Sequence, residues 1–384
     1  MLLPFVMAAF VLPVSGARAI TFYTTNALLS DVPGVAQNTD TSLAGAWGIA
    51  RSAASPWWVN STLGGRSLLV TGDGAPYPTN NSPGVIIPPV PSRATGIVFN
   101  NATGTNGGFD IQSNLPAEFI FVTLDGSIAG WNPYQSNRDE AVLMATNRLP
   151  ASYTGATIAS LNGSNALYVA NFGENRVDVY DGSFSNVDLG QGAFTDADVP
   201  AGLAVFNVQA ISSNLLCVTY APTNIFSESG SNTLASSDGS GDGFVSVYGS
   251  QGTLVGELAH GPWMSAPWAV TRGPSVLLIN GNRANTVLVG MFGNGEIAAF
   301  DADQGQFRGL LQSTNGHPIA FGKGLWGLSY GNGAAAGPTN VLYYSQDLVS
   351  TNGFHGVFGE MVPVHQDPDL DGQVDDNDMD DNAD

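Results

Sequence analysis

The sequence predicts an all-β protein, a six-bladed β-propeller of four-stranded antiparallel blades that is closed by its own N-terminal strand. Three observations lead there. Residues 165–181 (NALYVANFGENRVDVYD) recur 120 positions later as residues 285–301 (NTVLVGMFGNGEIAAFD). Each copy is an apolar run, a turn carrying Gly and Asn, and a second run in which Val177 and Val179 flank Asp178, which is period-two patterning about a hairpin. A short strand also recurs ahead of such hairpins, as Trp47-Gly-Ile-Ala, Thr95-Gly-Ile-Val, Trp268-Ala-Val-Thr and Trp326-Gly-Leu-Ser. The composition agrees: 43% of residues are hydrophobic, 48 are Gly and only 11% are charged, against about 25% in an ordinary soluble domain.

One such strand plus its hairpin gives about six units of roughly 50 to 60 residues, a little above known propeller periods. Unit one runs from Trp47 through Trp57-Trp58-Val59 and residues 67–70 to residues 84–87. Unit two opens at Thr95, passes through residues 119–132 and ends near residues 141–144. Unit three starts near Ile158 and contains the first hairpin copy. Unit four takes residues 206–220 and is interrupted by residues 221–242, a Ser-, Gly- and Asn-rich insertion too polar to join a core. Unit five runs from Trp268 to Leu311. Unit six, from Trp326 through residues 341–344 to residues 355–358, has only three strands. The unassigned run at residues 21–29 (TFYTTNALL) supplies the fourth, because a ring that takes strands from both chain ends leaves neither frayed.

The two ends are of different character. Residues 1–19 are apolar and finish in Ala17-Arg18-Ala19, a signal-peptidase pattern, so export and a mature propeller over residues 20–362 are expected. After cleavage no apolar run is long enough to span a bilayer as a helix. Nine of the 32 acidic residues fall within the last 18 positions, which makes residues 363–384 a separate acidic tail. The formal charge of −21 with 11 scattered basic residues excludes a nucleic-acid surface, which needs clustered Lys and Arg. The single Cys217 lies in an apolar run and reads as a buried hydrophobe. Sequons start at Asn60, Asn80, Asn101 and Asn162.

The Trp/Thr-Gly-Ile-Ala strands, the LYVANFGENRVDVYDG hairpin, residues 205–209 (VFNVQ), and the closing residues 324–329 (GLWGLS) with 355–359 (HGVFG) resemble a family of secreted bacterial proteins related to NHL-type six-bladed propellers. The resemblance covers roughly residues 25–360. It implies fold and export, and brings no activity with it.

Propellers gather functional groups at the mouths of the central channel. The inner-strand starts place Trp47, Asn207, Trp268 and Trp326 there, where the tryptophans could collar a sugar or another flat ligand, or simply pack neighbouring blades. A metal site of the kind six-bladed lactonases carry would draw on Asn207, Asn171 and Glu174; Asn294 and Glu296 occupy the matching turn in unit five. The four histidines show no HxH or HExxH spacing, and no G-x-S-x-G nucleophile motif occurs. The most specific motif is in the tail, where Asp367, Asp369 and Asp371, Gly372, the Gln373 carbonyl and Asp378 match EF-hand loop spacing for one Ca²⁺. This run resembles thrombospondin type 3 and dockerin loops, although its last ligand is Asp where EF-hands use Glu and the chain stops at Asp384. Together these readings predict a secreted binding or scaffold propeller for an extracellular protein or carbohydrate, with a weak calcium loop; the alternative is a metal-dependent lactonase-like or lyase-like enzyme.

Overall fold

The computed structural model describes residues 21–365, apart from 79–83, 102–107, 148–149, 226–240, 275–277, 280–281, 284 and 351–352. The leader and residues 366–384 of the acidic tail lie outside the described residues, while residues 363–365, expected to belong to the tail, continue the last strand. Six small, mainly antiparallel sheets form a six-bladed propeller. In blades one to five the first strand in sequence lies innermost, in blade six the innermost strand is Leu325–Tyr330, and each inner strand pairs with a neighbouring strand on one side only.

Blade one is built from Ala46–Ala50, Trp57–Ser61, Arg66–Val70 and Val85–Ile86. Blade two uses Ala94–Phe99, Phe119–Thr123, Ser127–Trp131 and Val142–Thr146. Blade three has Tyr153–Leu161, Ser164–Asn171 and Arg176–Tyr180, and its fourth position is held by a single bridge between Tyr180 and Asn186. Blade four comprises Leu203–Ala210, Leu215–Pro222, Phe244–Gly249 and Leu254–Glu257. Blade five comprises Pro267–Arg272, Thr286–Met291, Ile297–Asp301 and Phe307–Leu310.

Blade six closes the ring as expected. Its strands Leu325–Tyr330, Leu342–Ser350 and Gly353–His365 are completed by the N-terminal strand Thr21–Ser30. That strand pairs antiparallel with the last one from Thr21 opposite His365 to Ser30 opposite Val357, with a bulge between Ala27 and Leu29. Its outer edge is in turn covered at its two ends by short parallel segments, Asn38–Thr39 beside Leu29 and Ser30 and Gln312–Ser313 beside Phe22 and Tyr23, with exposed Thr24 and Thr25 between them.

The hydrophobic core is divided among the spaces between neighbouring blades. Consecutive strand residues face opposite sides of a sheet, so Trp57 and Trp58 serve two different spaces. Trp58 stacks on Phe119 toward blade two, with ring centroids 4.5 Å apart. Trp57 packs on Tyr343 and Phe358 toward blade six, and its indole N–H donates to the Ala336 carbonyl at 2.8 Å.

Two expectations need correction. The inner strand of blade three starts at Tyr153, earlier than Ile158, so Thr154-Gly155 is the counterpart of Thr95-Gly96. The start of the blade-four insertion does join the core: Ala221 and Ile225 are buried in the same cluster as Trp268 and Trp326.

Candidate ligand site on the propeller axis

The recurring Trp/Thr-Gly motif is the seam of the ring. A Cβ added to Gly48 would collide with the Thr95 carbonyl of blade two, and one added to Gly155 would collide with the side chain of Asn207 in blade four. Only a residue without a side chain lets inner strands approach so closely. Asn207 stands where the other blades carry Gly or Ala. It is 1% exposed, donates through Nδ2 to the Trp268 carbonyl at 2.7 Å and accepts from the Val208 amide at 2.8 Å. One side chain thereby ties blades three, four and five.

One end of the axis is filled. Trp47 and Trp326 stack with centroids 3.6 Å apart and planes 16° from parallel. Trp268 meets both edge-on, at 6.4 and 5.7 Å, and Phe292 and Phe206 pack on Trp326 at 4.3 and 5.7 Å. All five rings are at most 6% exposed. The three tryptophans expected at the axis are brought together there, and their faces are occupied by one another.

The Trp326 indole N–H donates to Asp347 Oδ2 at 2.9 Å. Burial, with a lesser push from the nearby Asp31 charge and against the lowering hydrogen bonds from Trp326 and the Ala46 backbone, raises the Asp347 carboxyl to about 7. Asp31 itself accepts from the Gly356 amide and pairs with His355 Nδ1 at 2.8 Å. This buried acid beside the aromatic plug carried no signal in the sequence.

Asn171 and Glu174 belong to a separate closed network in blade three. Asn171 Nδ2 donates to Glu174 and to Asp178 at 2.8 Å, and its Oδ1 accepts the Ser152 and Glu174 amides. Arg176 bonds both Asp178 and Glu174, while Tyr153 donates to Asp178 and contacts the Tyr180 hydroxyl. The 4% exposed Asp178 is thus fully engaged. Asn294 and Glu296 in blade five bond to each other at 2.9 Å. Of the three groups in the lactonase-like metal reading, Asn171 and Glu174 are engaged within blade three, whereas Asn207 bonds the Trp268 carbonyl and the Val208 amide.

The other end of the axis is open. A cavity of about 370 Å³ is bounded by the inner strands of all six blades, with Asn207 and Trp268 among its walls. Equivalent positions, three residues after the Trp, Thr or Phe that starts each motif, form a ring around it: Ala50, Val98, Thr157, Gln209, Thr271 and Ser329. Blades one and two give this ring an apolar arc, and blades three to six give it an uncharged polar arc. Among the described residues Arg51 is the single charged side chain in the wall, and no carboxylate, imidazole or thiol lines it. Arg51 donates through Nε to the Tyr330 carbonyl and lies 5.8 Å over the Trp57 ring, and burial lowers its pKa.

Carboxylates do converge elsewhere. Asp196, Asp198 and Glu257 bring oxygens within 4.8 Å of one another at blade four, where Ser246 donates to Asp196 at 2.7 Å. Desolvation and the two neighbouring aspartates raise the pKa of Glu257. The tail ligands Asp367, Asp369, Asp371, Gln373 and Asp378 lie outside the described residues.

No protein-family profile matches the chain. It is similar to uncharacterized protein R648 of Acanthamoeba polyphaga mimivirus, 25% identical over 342 residues, which covers 83% of this chain and 76% of that one. Uncharacterized protein L690 of the same virus is 27% identical over 335 residues, covering 83% and 82%. A match to protein R640, at 26% identity, spans 47% of this chain and about a third of that protein, 32%. Among solved structures the chain is similar to virginiamycin B lyase from Staphylococcus aureus, with a TM-score of 0.44, 11% identity and coverage of 89% and 99%. A gluconolactonase assigned as putative gives 0.38, 11%, 64% and 84%. Likeness at this level is one of propeller fold and transfers no activity.

Proposed function

We propose that this chain is an exported binding propeller whose ligand site is the axial cavity at the open end of the ring. One observation carries the reading: the axis is packed solid with aromatic rings at one end and opens at the other into a cavity walled by uncharged polar and aliphatic groups. Such a wall can hold and orient a small molecule. It offers no group that would ligate a catalytic metal through a carboxylate or imidazole, and no general base near neutrality. Export rests on the apolar leader with its Ala17-Arg18-Ala19 end. The acidic tail is assigned as a single weak calcium loop built from Asp367, Asp369, Asp371, Gln373 and Asp378.

Metal analysis of the purified protein with and without residues 366–384, which follow the last propeller strand, tests this reading against the enzyme alternative. The binding reading predicts that the tail-deleted protein retains less than a tenth of an equivalent of divalent metal after dialysis and hydrolyses no aliphatic lactone. A stoichiometric metal that survives tail deletion would overturn it in favour of a metal-dependent enzyme.

A further inference from the structure

We infer that the axial cavity takes a small, uncharged, polyhydroxylated molecule of monosaccharide size, held between the polar arc Thr157, Gln209, Thr271 and Ser329 and the apolar arc Ala50 and Val98. This deepens the binding reading above and rests on it.

Size comes first. A cavity of about 370 Å³ lies near the lower end of the roughly 300–1,000 Å³ typical of small-molecule sites, so a single ring fits and a peptide or long glycan does not.

Charge narrows the class. With no carboxylate in the wall, an organic cation would find no counter-ion. An anion would have to enter against a protein of formal charge −21, and the one guanidinium is already engaged by the Tyr330 carbonyl and packed over Trp57.

Hydrogen-bonding capacity selects within neutral molecules. Among the described residues the Gln209 amide and the Thr271 and Ser329 hydroxyls have no protein hydrogen-bond partner, although each is half-buried. The Thr157 hydroxyl accepts the Ala210 amide and keeps its own proton to donate. Each inner strand also pairs on one side only, which leaves backbone amides and carbonyls of its other edge facing the axis. A wholly apolar guest would strand all of these groups, whereas hydroxyls both donate to and accept from them. The opposite arc, with Ile49 and Ile97 beside Ala50 and Val98, suits the C–H face of a sugar ring.

The test is calorimetric titration of the full protein with glucose, galactose, mannose and N-acetylglucosamine, alongside gluconate, cyclohexanol and choline as probes of the other classes. The inference predicts one-to-one binding of at least one neutral sugar and weaker or no binding of the other probes. It also predicts about a tenfold or greater loss in Gln209→Leu and in Thr271→Val, which keep shape and remove hydrogen-bonding groups. Unchanged thermal unfolding of the free variants, by circular dichroism, separates lost contacts from lost folding. Preferential binding of gluconate, cyclohexanol or choline, abolished in a cavity-filling Ser329→Phe variant, would overturn the ligand class while leaving the site. Binding of no probe would overturn the class and remove support for the site. Sugar binding indifferent to Gln209→Leu, Thr271→Val and Ser329→Phe would place it elsewhere and overturn both.

Discussion

The side chain of Asn207 occupies the space that a Cβ on Gly155 would need, so the inner strands of blades three and four interlock through one amide and one missing methyl group. Because the same amide also bonds the Trp268 carbonyl, the two positions are energetically coupled. Gly155→Ala is expected to cost about 1–3 kcal/mol through overpacking. Asn207→Ala is expected to cost a similar amount by leaving a buried carbonyl without its donor, about 1–3 kcal/mol. In the double variant the clash disappears, and chemical unfolding should show a combined loss smaller than the sum. Strict additivity would contradict the interlock.

The closing strand makes a second prediction. Thr21–Ser30 is paired along its length with the final strand and buries Tyr23, Leu28 and Leu29. Removing residues 21–30 opens the ring edge and takes those side chains out of two inter-blade cores. Scanning calorimetry should then show a lower and less cooperative transition, and light scattering should show association through the exposed edge. An unchanged, monomeric melt would count against closure by this strand.

Asp347 gives a pH dependence whose sign is fixed. Burial raises its carboxyl from an ordinary value near 3.8 to about 7, so the folded chain keeps a proton that the unfolded chain has released. The stabilisation is complete below about pH 4 and is lost as pH rises through about 7, a difference on the order of a few kcal/mol. Asp347→Asn retains an acceptor for the Trp326 indole and has no proton to lose. Urea midpoints measured from pH 4 to 8.5 should therefore slope downward in the native protein and lie flatter in the variant; parallel profiles would refute the assignment.

Cys217 is fully buried, and that burial pushes its thiol up to about 12 against the modest opposing influence of Arg272. The folded protein should therefore be inert to a thiol reagent at pH 8 and should react with one equivalent only in denaturant. Fast labelling without denaturant would show that blades four and five part readily.

The tail is predicted to bind one Ca²⁺ weakly, with Kd of about 10⁻⁴ to 10⁻³ M, because a lone loop bears its whole ordering entropy. Asp371→Ala should abolish the calorimetric heat and leave the melting of the propeller unchanged. Equal heats for both forms would reduce the segment to a solubilising acidic tail.

The ring was readable in the sequence because each blade repeats one chemical problem, a glycine or alanine where inner strands nearly touch and alternating side chains for the spaces between blades. Blade six's missing strand was readable for the same reason, as a deficit in the count. Which end of the axis is open was not, since Trp47, Trp268 and Trp326 could face a ligand or one another, and only their neighbours Phe206 and Phe292 decide it. The polar arc was hidden by a register error: with blade three begun at Ile158, Thr157 does not align with Gln209, Thr271 and Ser329. Asn171 and Glu174 looked available because the partners that engage them, Asp178 and Arg176, lie on the returning strand of the hairpin and face them only in the folded blade. Asp347 is one acid in an unremarkable strand, and its environment is made by burial in the folded ring, with Trp326, Ala46 and Asp31 as neighbours brought from elsewhere in the chain.

The most direct test of the account is a crystal structure of the protein soaked with the tightest-binding neutral sugar. The account predicts sugar density on the axis within hydrogen-bond reach of Gln209 and Thr271, with the Trp47–Trp326 stack undisturbed at the opposite end. Sugar seated between the tryptophans, or bound outside the axis altogether, would contradict it.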